Sequence, residues 1–262
     1  MRMLLCAAVL LSGPAVACAQ APYPFTLDEE SDPAGLRLVA RNPGPLPVSV
    51  VYRLHGVART AVVPSHTTRT LARFNPAADI HTEHRIGDLR AVHVPMRAYR
   101  LPFANGRSFM VGQAPGGLLT THATAAAWHA IDIAMPEGTP VVAARAGIVI
   151  QSVSHLPVPG EEAPPEGNTV RILHDDGTIA GYHHLAPGGV TVRLGDGVDA
   201  GQVIGYSGST GHSSGPHLHF AVTRLVLAGE RLVEVSEPVV FHAGRPPRSL
   251  SARPGIVLTA DY

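Results

Sequence analysis

The first part of the chain alternates short runs rich in β-branched residues with turn formers. Residues 42–45, for example, read Asn-Pro-Gly-Pro between two such runs. Short strands at this spacing are typical of small β-sandwiches. The pattern therefore predicts strands at residues 36–41, 48–54, 60–63 and 67–74.

The second part repeats the pattern of short apolar runs divided by Gly or Pro. It predicts strands at residues 130–134, 141–144, 147–153, 169–173 and 218–222. Residues 155–167 contain four Pro and three Glu, which predicts an exposed loop. No stretch after residue 20 has the apolar period of an amphipathic helix. The predicted fold class is all-β, with an N-terminal small β-sandwich at 20–95, an antiparallel β-sheet domain at 96–245 and a C-terminal tail at 246–262.

The first 19 residues have the pattern of an export signal. A basic start precedes an apolar run of about ten residues, and Ala17 and Ala19 are small residues at the positions that signal peptidase reads. This run is too short to span a membrane. Cleavage after Ala19 would remove Cys6 and Cys18, the two cysteines of the chain, so the mature protein would have no disulfide and no thiolate ligand. The alternative is a lipoprotein signal with Cys18 as the lipidated first residue.

The charge of the chain excludes two classes of partner. It has 20 basic residues, all Arg, and 20 acidic residues, so the formal net charge is zero. A neutral chain lacks the electrostatic footprint of a protein that binds nucleic acid or an anionic membrane. No later stretch is long and apolar enough to span a bilayer, and we expect a periplasmic or secreted protein. Its unusual feature is 15 His, several of them clustered in the second half.

The strongest local motif is a His-x-His pair within Gly215-Pro-His-Leu-His-Phe. Residues two apart on a strand face the same side, so His217 and His219 are expected to project together. Paired neutral imidazoles suit a divalent metal. Two His on a solvated strand face would give the same pattern, so the pair alone is a weak signal.

Three further segments strengthen the case for a metal. His183 and His184 lie on another predicted strand, and Asp132 follows His122 and His129 at short spacing. A catalytic zinc site needs three protein ligands, and two His with one carboxylate are a standard set. The chain therefore has the required residue types, although spacing alone does not show that they converge.

Five motifs in order resemble one known family. These are residues 132–149, Tyr-His-His-Leu at 182–185, residues 195–205, Ser-Gly-Ser-Thr-Gly at 207–211 and Gly-Pro-His-Leu-His-Phe at 215–220. Together they are similar to the lysostaphin-type (LytM-like) zinc metallopeptidases, which cut peptides of bacterial peptidoglycan. The resemblance covers roughly residues 100–242 and implies that the domain at 96–245 has this fold.

The resemblance implies a set of zinc ligands. The family uses a His, an Asp and the second His of His-x-His, which points to Asp132 and His219. The first ligand has two candidates. Many members have it four residues before the Asp, where this chain has Trp128. A subgroup has a Ser-His-like turn ten residues before the Asp, which favours His122, whereas His129 would need a bulge to face the same side as Asp132.

The resemblance also implies two catalytic imidazoles that flank the zinc. They correspond to His184 and His217, and His183 would then be the alternating neighbour that faces away. The implied activity is zinc-dependent hydrolysis of amide bonds in peptidoglycan peptides or crosslinks by an exported enzyme. The alternatives are an inactive LytM-like module that binds the wall and regulates another hydrolase, and a secreted protease for Gly-rich proteins. The sequence does not indicate the bond cleaved, the role of the N-terminal domain, autoinhibition or the oligomeric state.

Overall fold

A computed structural model describes residues 23–75, 80–94, 99–118, 120–156 and 164–262. The described residues form 19 strands and no α-helix, which confirms the all-β prediction. None of them forms a helix long and apolar enough to cross a membrane. The predicted export signal, Cys18, the predicted boundary at 95/96 and most of the predicted loop lie outside the described residues.

Six strands lie in the N-terminal part. Their bounds are β1 (Thr26–Asp32), β2 (Gly35–Asn42), β3 (Val48–Leu54), β4 (Val57–Val63), β5 (Thr67–Phe74) and β6 (Ile80–Ile86). They form two antiparallel three-stranded sheets, in the orders β1-β2-β5 and β4-β3-β6. Apolar side chains of both sheets share one buried cluster, with Leu38 and Phe74 from the first sheet and Val50 and Val63 from the second. This burial is what holds the two small sheets face to face.

The remaining strands lie between residues 108 and 259. Their bounds are β7 (Ser108–Gln113), β8 (Ile131–Ile133), β9 (Pro140–Val142), β10 (Gly147–Val153), β11 (Asn168–Leu173), β12 (Ile179–Val190), β13 (Gly197–Val198), β14 (Val203–Ser207), β15 (Leu218–Ala228), β16 (Arg231–Glu237), β17 (Phe241–Ala243), β18 (Arg248–Leu250) and β19 (Val257–Thr259).

Eleven of these strands form one large sheet. Its central path runs β13-β10-β11-β12-β15-β8-β7-β19, and β9, β14 and β16 join at its sides. Strands β18 and β19 fall within the predicted C-terminal tail, and β19 pairs with β7. The boundaries of the four predicted segments stay predictions.

The two faces of the central strands carry different kinds of residue. Tyr182 on β12 and Phe220 on β15 are opposite each other in the register and fully buried in the main apolar core. Because side chains alternate along a strand, the residues next to them point to the other face. These neighbours are His183 and His219, which are also opposite each other. The sequence thus combines a core face with a histidine face in the same two strands.

The N-terminal sheets contact the large sheet at a distance from these histidines. Leu46, in the loop before β3, is fully buried and packs with Ile150, Leu173 and Ile179 of the large sheet. Ile179 begins β12, four residues before His183. Four residues of strand span about 13 Å, so this apolar contact is well separated from the histidine face.

Candidate metal centre

One line of residues crosses four adjacent strands at the histidine face. The register pairs His183 of β12 with His219 of β15, His219 with Asp132 of β8, and Asp132 with Gln113 of β7. Asp132 and His219, which belong to different motifs, are 87 residues apart in sequence, yet they lie side by side. Strand pairing is therefore what converts the separate motifs into one site.

The structure brings His122, Asp132 and His219 together. His122 Nε2 lies 3.2 Å from Asp132 Oδ2, and His219 Nδ1 lies 2.9 Å from Asp132 Oδ1. One ligand atom from each residue lies within 4.8 Å of the others, and His122 and Asp132 are buried. Burial raises the pKa of Asp132, but its hydrogen bonds with the two imidazoles outweigh burial and hold the pKa well below its usual range. The carboxyl group is therefore ionised.

This donor set fits a zinc ion. Two imidazole nitrogens and one carboxylate are the composition of a three-ligand catalytic zinc site. Ligand atoms at ~2.0–2.2 Å from one ion lie roughly 3–4 Å from each other, which agrees with the 2.9 and 3.2 Å separations in the cluster. His122, Asp132 and His219 could therefore hold a metal without rearrangement of the strands.

The two candidates for the first ligand lie in different places. His122 reaches Asp132 from the irregular segment between β7 and β8, where Gln113 Oε1 accepts a hydrogen bond of 2.8 Å from Thr121 N. His129 instead lies beside β16, with its Nδ1 2.9 Å from the carbonyl of Ser236. His122 is thus the candidate that lies in the cluster. The irregular segment that carries it is directed toward Asp132 by a side-chain contact rather than by strand pairing.

His184 has a backbone conformation that is rare for its residue type. Its φ of 61° lies in the left-handed region, which costs free energy for a residue with a Cβ. Its N–H donates to the carbonyl of Glu166 at 3.0 Å, and its Nδ1 lies 2.8 Å from the carbonyl of Thr210. Because a carbonyl only accepts, Nδ1 carries the proton and Nε2 has a free lone pair. Burial, and secondarily His217, lowers the pKa of His184 to about 4.

His217 is fixed in the same manner. Its Nδ1 lies 2.8 Å from the carbonyl of Gly215, so this nitrogen is the donor and, in the neutral ring, Nε2 has the free lone pair. Its Nε2 is 3.9 Å from Asp132 Oδ1. The rings of His184 and His217 are in contact, with centroids 4.6 Å apart. The neutral rings of His184 and His217 therefore each offer an Nε2 lone pair next to the candidate metal ligands.

The expectation that His183 faces away from the site is wrong. Its ring lies on the histidine face, where alternation from Tyr182 places it, and its centroid lies 5.4 Å from that of His219. The ring of the next residue, His184, also contacts His219, at 5.8 Å. Two consecutive residues share one face because the left-handed conformation of His184 interrupts the alternation of the strand. Burial lowers the pKa of His183 well below its ordinary value, with smaller contributions from His219 and Arg171.

Three polar residues support the site, and the sequence reasoning assigned a role to none of them. Gln113 holds the segment of His122, and Thr169 contacts His183 at 2.6 Å. Thr210 is fully buried, and its hydroxyl donates to Leu185 at 2.8 Å and accepts from Asn168 N at 2.9 Å. Thr210 belongs to a motif that carried the resemblance, which was a signal for its importance but not for its contacts.

An antiparallel sheet that gathers two imidazoles and a carboxylate beside two further imidazoles is the arrangement of a metallopeptidase. Comparison with protein families identifies the peptidase family. Residues 126–232 match peptidase family M23, and this part of the chain is an M23 domain. The resemblance to lysostaphin-type peptidases is thereby confirmed. The matched residues include Asp132, His184, His217 and His219, whereas His122 lies just before them.

Individual relatives match the same part of the chain. The peptidoglycan DD-endopeptidase ShyA of Vibrio cholerae is 40% identical over 89 residues, which are 34% of this chain and 18% of that protein. Lysostaphin of Staphylococcus staphylolyticus is 39% identical over 93 residues, which are 35% of this chain and 18% of that protein. The match thus spans about a fifth of the length of these curated relatives.

Solved structures give similar matches. The catalytic domain of the antimicrobial peptidase lysostaphin from Staphylococcus simulans is 30% identical, with a TM-score of 0.37, and the match covers 48% of this chain and 88% of that one. A zinc-containing peptidase from Vibrio cholerae is 24% identical, with a TM-score of 0.32, and the match covers 76% of this chain and 54% of that one.

Proposed function

We propose that this chain is an exported, zinc-dependent endopeptidase that hydrolyses amide bonds in peptidoglycan peptides or crosslinks. The observation that carries the proposal is the convergence of His122, Asp132 and His219 beside the free Nε2 atoms of His184 and His217. The M23 domain and the relatives that are named for peptidoglycan cleavage support the same activity.

His122, Asp132 and His219 would hold the zinc ion. Bound zinc supplies Lewis acidity, which polarises a carbonyl group and acidifies water. The ionised carboxyl of Asp132 favours a cation, and its hydrogen bonds with both imidazoles preset the three ligands. The chain itself therefore provides the position and the charge that a zinc ion needs.

His184 and His217 would manage the proton of the attacking water. Each ring donates a hydrogen bond from Nδ1–H to a backbone carbonyl, so each Nε2 can orient a water molecule and accept a proton from it. The imidazolium that forms keeps its Nδ1–H on the carbonyl, whose dipole stabilises the positive charge. It can then protonate the leaving amine or donate to the oxyanion, steps worth typically ~10²–10⁴ in rate.

The expectation of export rests on the pattern of the first 19 residues, with a lipoprotein anchored at Cys18 as the alternative. Peptidoglycan is a substrate outside the cytoplasm, so export and the proposed substrate are consistent. The competing function is an inactive module that binds the wall and regulates another hydrolase. The presence of all five side chains in one cluster favours the enzyme.

The test combines metal content with cell-wall hydrolysis. Purified chain should bind about one zinc and release soluble peptides from purified sacculi, and His122→Ala should lose both properties. His129→Ala is the matched control and should keep both, since His129 contacts Ser236 instead of Asp132. A wild-type chain that binds no zinc and leaves sacculi intact would support the inactive module. Cleavage of a Gly-rich protein but not of sacculi would support the secreted protease.

A further inference from the structure

The line of residues at the histidine face continues beyond the candidate ligands. Next to His219 on β15 lies His183 on β12, and next to His183 lies Thr169 on β11. Neither Thr169 nor His183 belongs to the candidate ligands or to the proposed proton-transfer pair. Their contacts nevertheless end on a candidate ligand, His219.

Hydrogen bonding fixes the ring of His183 on one side. Thr169 Oγ1 lies 3.0 Å from the carbonyl of Tyr182 and 2.6 Å from His183 Nδ1. The hydroxyl has one proton, and a carbonyl can only accept, so the hydroxyl donates to Tyr182 and accepts from His183 Nδ1–H. This direction defines both the tautomer and the orientation of the His183 ring.

Steric contact fixes the ring on the other side. His183 lies over Gly181, where an added Cβ would be 2.4 Å from His183 Nε2. Real Cβ atoms do not approach other atoms so closely, so the ring occupies space that only a glycine leaves free. Held by Thr169 and seated on Gly181, the ring packs against His219 on the same face.

The ring of His219 is enclosed by other imidazoles. His122 approaches it edge-on with centroids 4.8 Å apart, His184 at 5.8 Å, and His183 at 5.4 Å with an interplanar angle of 59°. His122 and His184 belong to the metal cluster and the proton-transfer pair. Of these three neighbours, His183 alone is held by a residue of β11, Thr169, and β11 carries neither a candidate ligand nor a member of the proton-transfer pair.

We infer that His183, anchored by Thr169, is a positioning residue that keeps the imidazole of His219 turned toward Asp132 for metal binding. The inference rests on the proposed function of the same site. Partners behind a metal ligand restrict its orientation before the metal binds, and their loss typically costs ~10–100-fold in metal affinity. His183 would act by the volume and fixed position of its ring, without contacting the metal.

The experiment measures zinc affinity by competition with a chromophoric chelator, a readout that does not need hydrolysis. His183→Ala should weaken zinc binding by about ten-fold. Thr169→Val should weaken it in the same direction, because the anchor is lost. His183→Phe should bind zinc more tightly than His183→Ala and about as well as Thr169→Val, since its ring fills the space beside His219 but, as in Thr169→Val, the hydrogen bond to Thr169 is absent. Thermal unfolding in excess chelator checks that each variant is folded before its affinity is compared.

Thr223→Val is the matched control for Thr169→Val. Thr223 is also a buried threonine, four residues along β15 from His219, and it donates to Glu234 at 2.8 Å instead of to the histidine line. Its substitution should leave zinc affinity unchanged. Equal affinity in wild type and His183→Ala would overturn the inference. A loss in His183→Phe as large as in His183→Ala would also overturn it, because the volume of the ring beside His219 would then contribute nothing to zinc binding.

The proposed function fails separately. If wild-type chain binds no zinc, the metal site itself is wrong. If wild type binds zinc and hydrolyses sacculi while the His183 and Thr169 variants bind zinc equally well, only the positioning role is wrong.

Discussion

His184 and His217 face each other with ring centroids 4.6 Å apart, and both donate Nδ1–H to carbonyls of one loop. The acceptors are Thr210 and Gly215, in the glycine-rich segment between β14 and β15. That segment therefore sets the tautomer of both rings. The proposed acid–base pair is oriented by backbone carbonyls of one segment rather than by carboxylates.

Removal of His217 should separate catalysis from metal binding. We expect His217→Ala to keep its zinc and to lose at least about 100-fold in kcat on a peptidoglycan peptide, because it removes a proton acceptor but no ligand. Metal analysis and steady-state kinetics on the same sample test this. His212→Ala, an exposed histidine of the same loop, is the control and should retain full activity. Loss of zinc from His217→Ala would contradict the assignment of roles.

Gln113 should matter for metal affinity through His122. Gln113→Leu removes the acceptor of Thr121 N, so the irregular segment that carries His122 loses its attachment to β7. We expect about ten-fold weaker zinc binding in chelator competition. Gln202→Leu is a matched control, because Gln202 also accepts from a backbone N–H, that of Asp199, in a turn elsewhere. Similar effects of both substitutions would show that the loss is general rather than local.

The glycine-rich loop should tolerate a methyl group at one glycine and not at another. An added Cβ at Gly208 would lie 2.5 Å from the backbone nitrogen of Ala186, whereas one at Gly215 would meet nothing within 4 Å. Gly208→Ala should therefore cost about 1–3 kcal/mol of unfolding free energy and displace the loop that orients His217. Gly215→Ala should be close to neutral. Urea unfolding of both variants checks this, and equal stabilities would contradict the packing argument.

Acid should destabilise the fold through His174. This residue is buried after β11, and burial lowers its pKa to about 4, although its hydrogen bond with the carbonyl of Ala146 acts in the opposite direction. The unfolded chain binds this proton near pH 6.5 and the folded chain only near pH 4. Stability from this group is therefore complete above pH ~6.5 and decreases as the pH falls to ~4, by about 3 kcal/mol at most.

The measurement is urea unfolding between pH 7.5 and pH 4.5, with chelator present so that metal binding does not contribute. His174→Phe should lose less stability over this range than wild type, because the buried proton acceptor is absent. His155→Gln, at an exposed histidine, should follow the wild-type curve. A His174→Phe curve parallel to that of wild type would argue against this source of acid sensitivity.

Much of the strand pattern could be predicted from local sequence. The predicted strands at 48–54, 67–74 and 147–153 have the same bounds as β3, β5 and β10. They are runs of β-branched residues between strong turn formers, so local preference and burial agree there. Strand β8 lies within the predicted residues 130–134, and β9 begins one residue before the predicted 141–144 and ends two residues earlier; each has only three residues, because its ends are determined by pairing with distant strands.

The site was predictable where it follows strand periodicity. His217 directly before β15, His219 on β15 and Asp132 on β8 needed only the alternation of side chains and the family pattern. The shared face of His183 and His184 could not be read in this way, because the left-handed backbone of His184 is not visible in a two-residue period. The contact of His122 with Asp132 likewise depends on the irregular segment and on Gln113, which leave no periodic signal.

The start and the middle of β12 contact different parts of the molecule. Ile179, at its start, packs against Leu46 of the N-terminal part, and His183 and His184 lie further along the same strand. The length of strand between Ile179 and His183 would therefore set the distance between a macromolecule bound to the N-terminal sheets and the peptide bond that is cut. Anchorage and cutting would occur at a constant spacing, and a change of that spacing would require separation of the buried contact at Leu46.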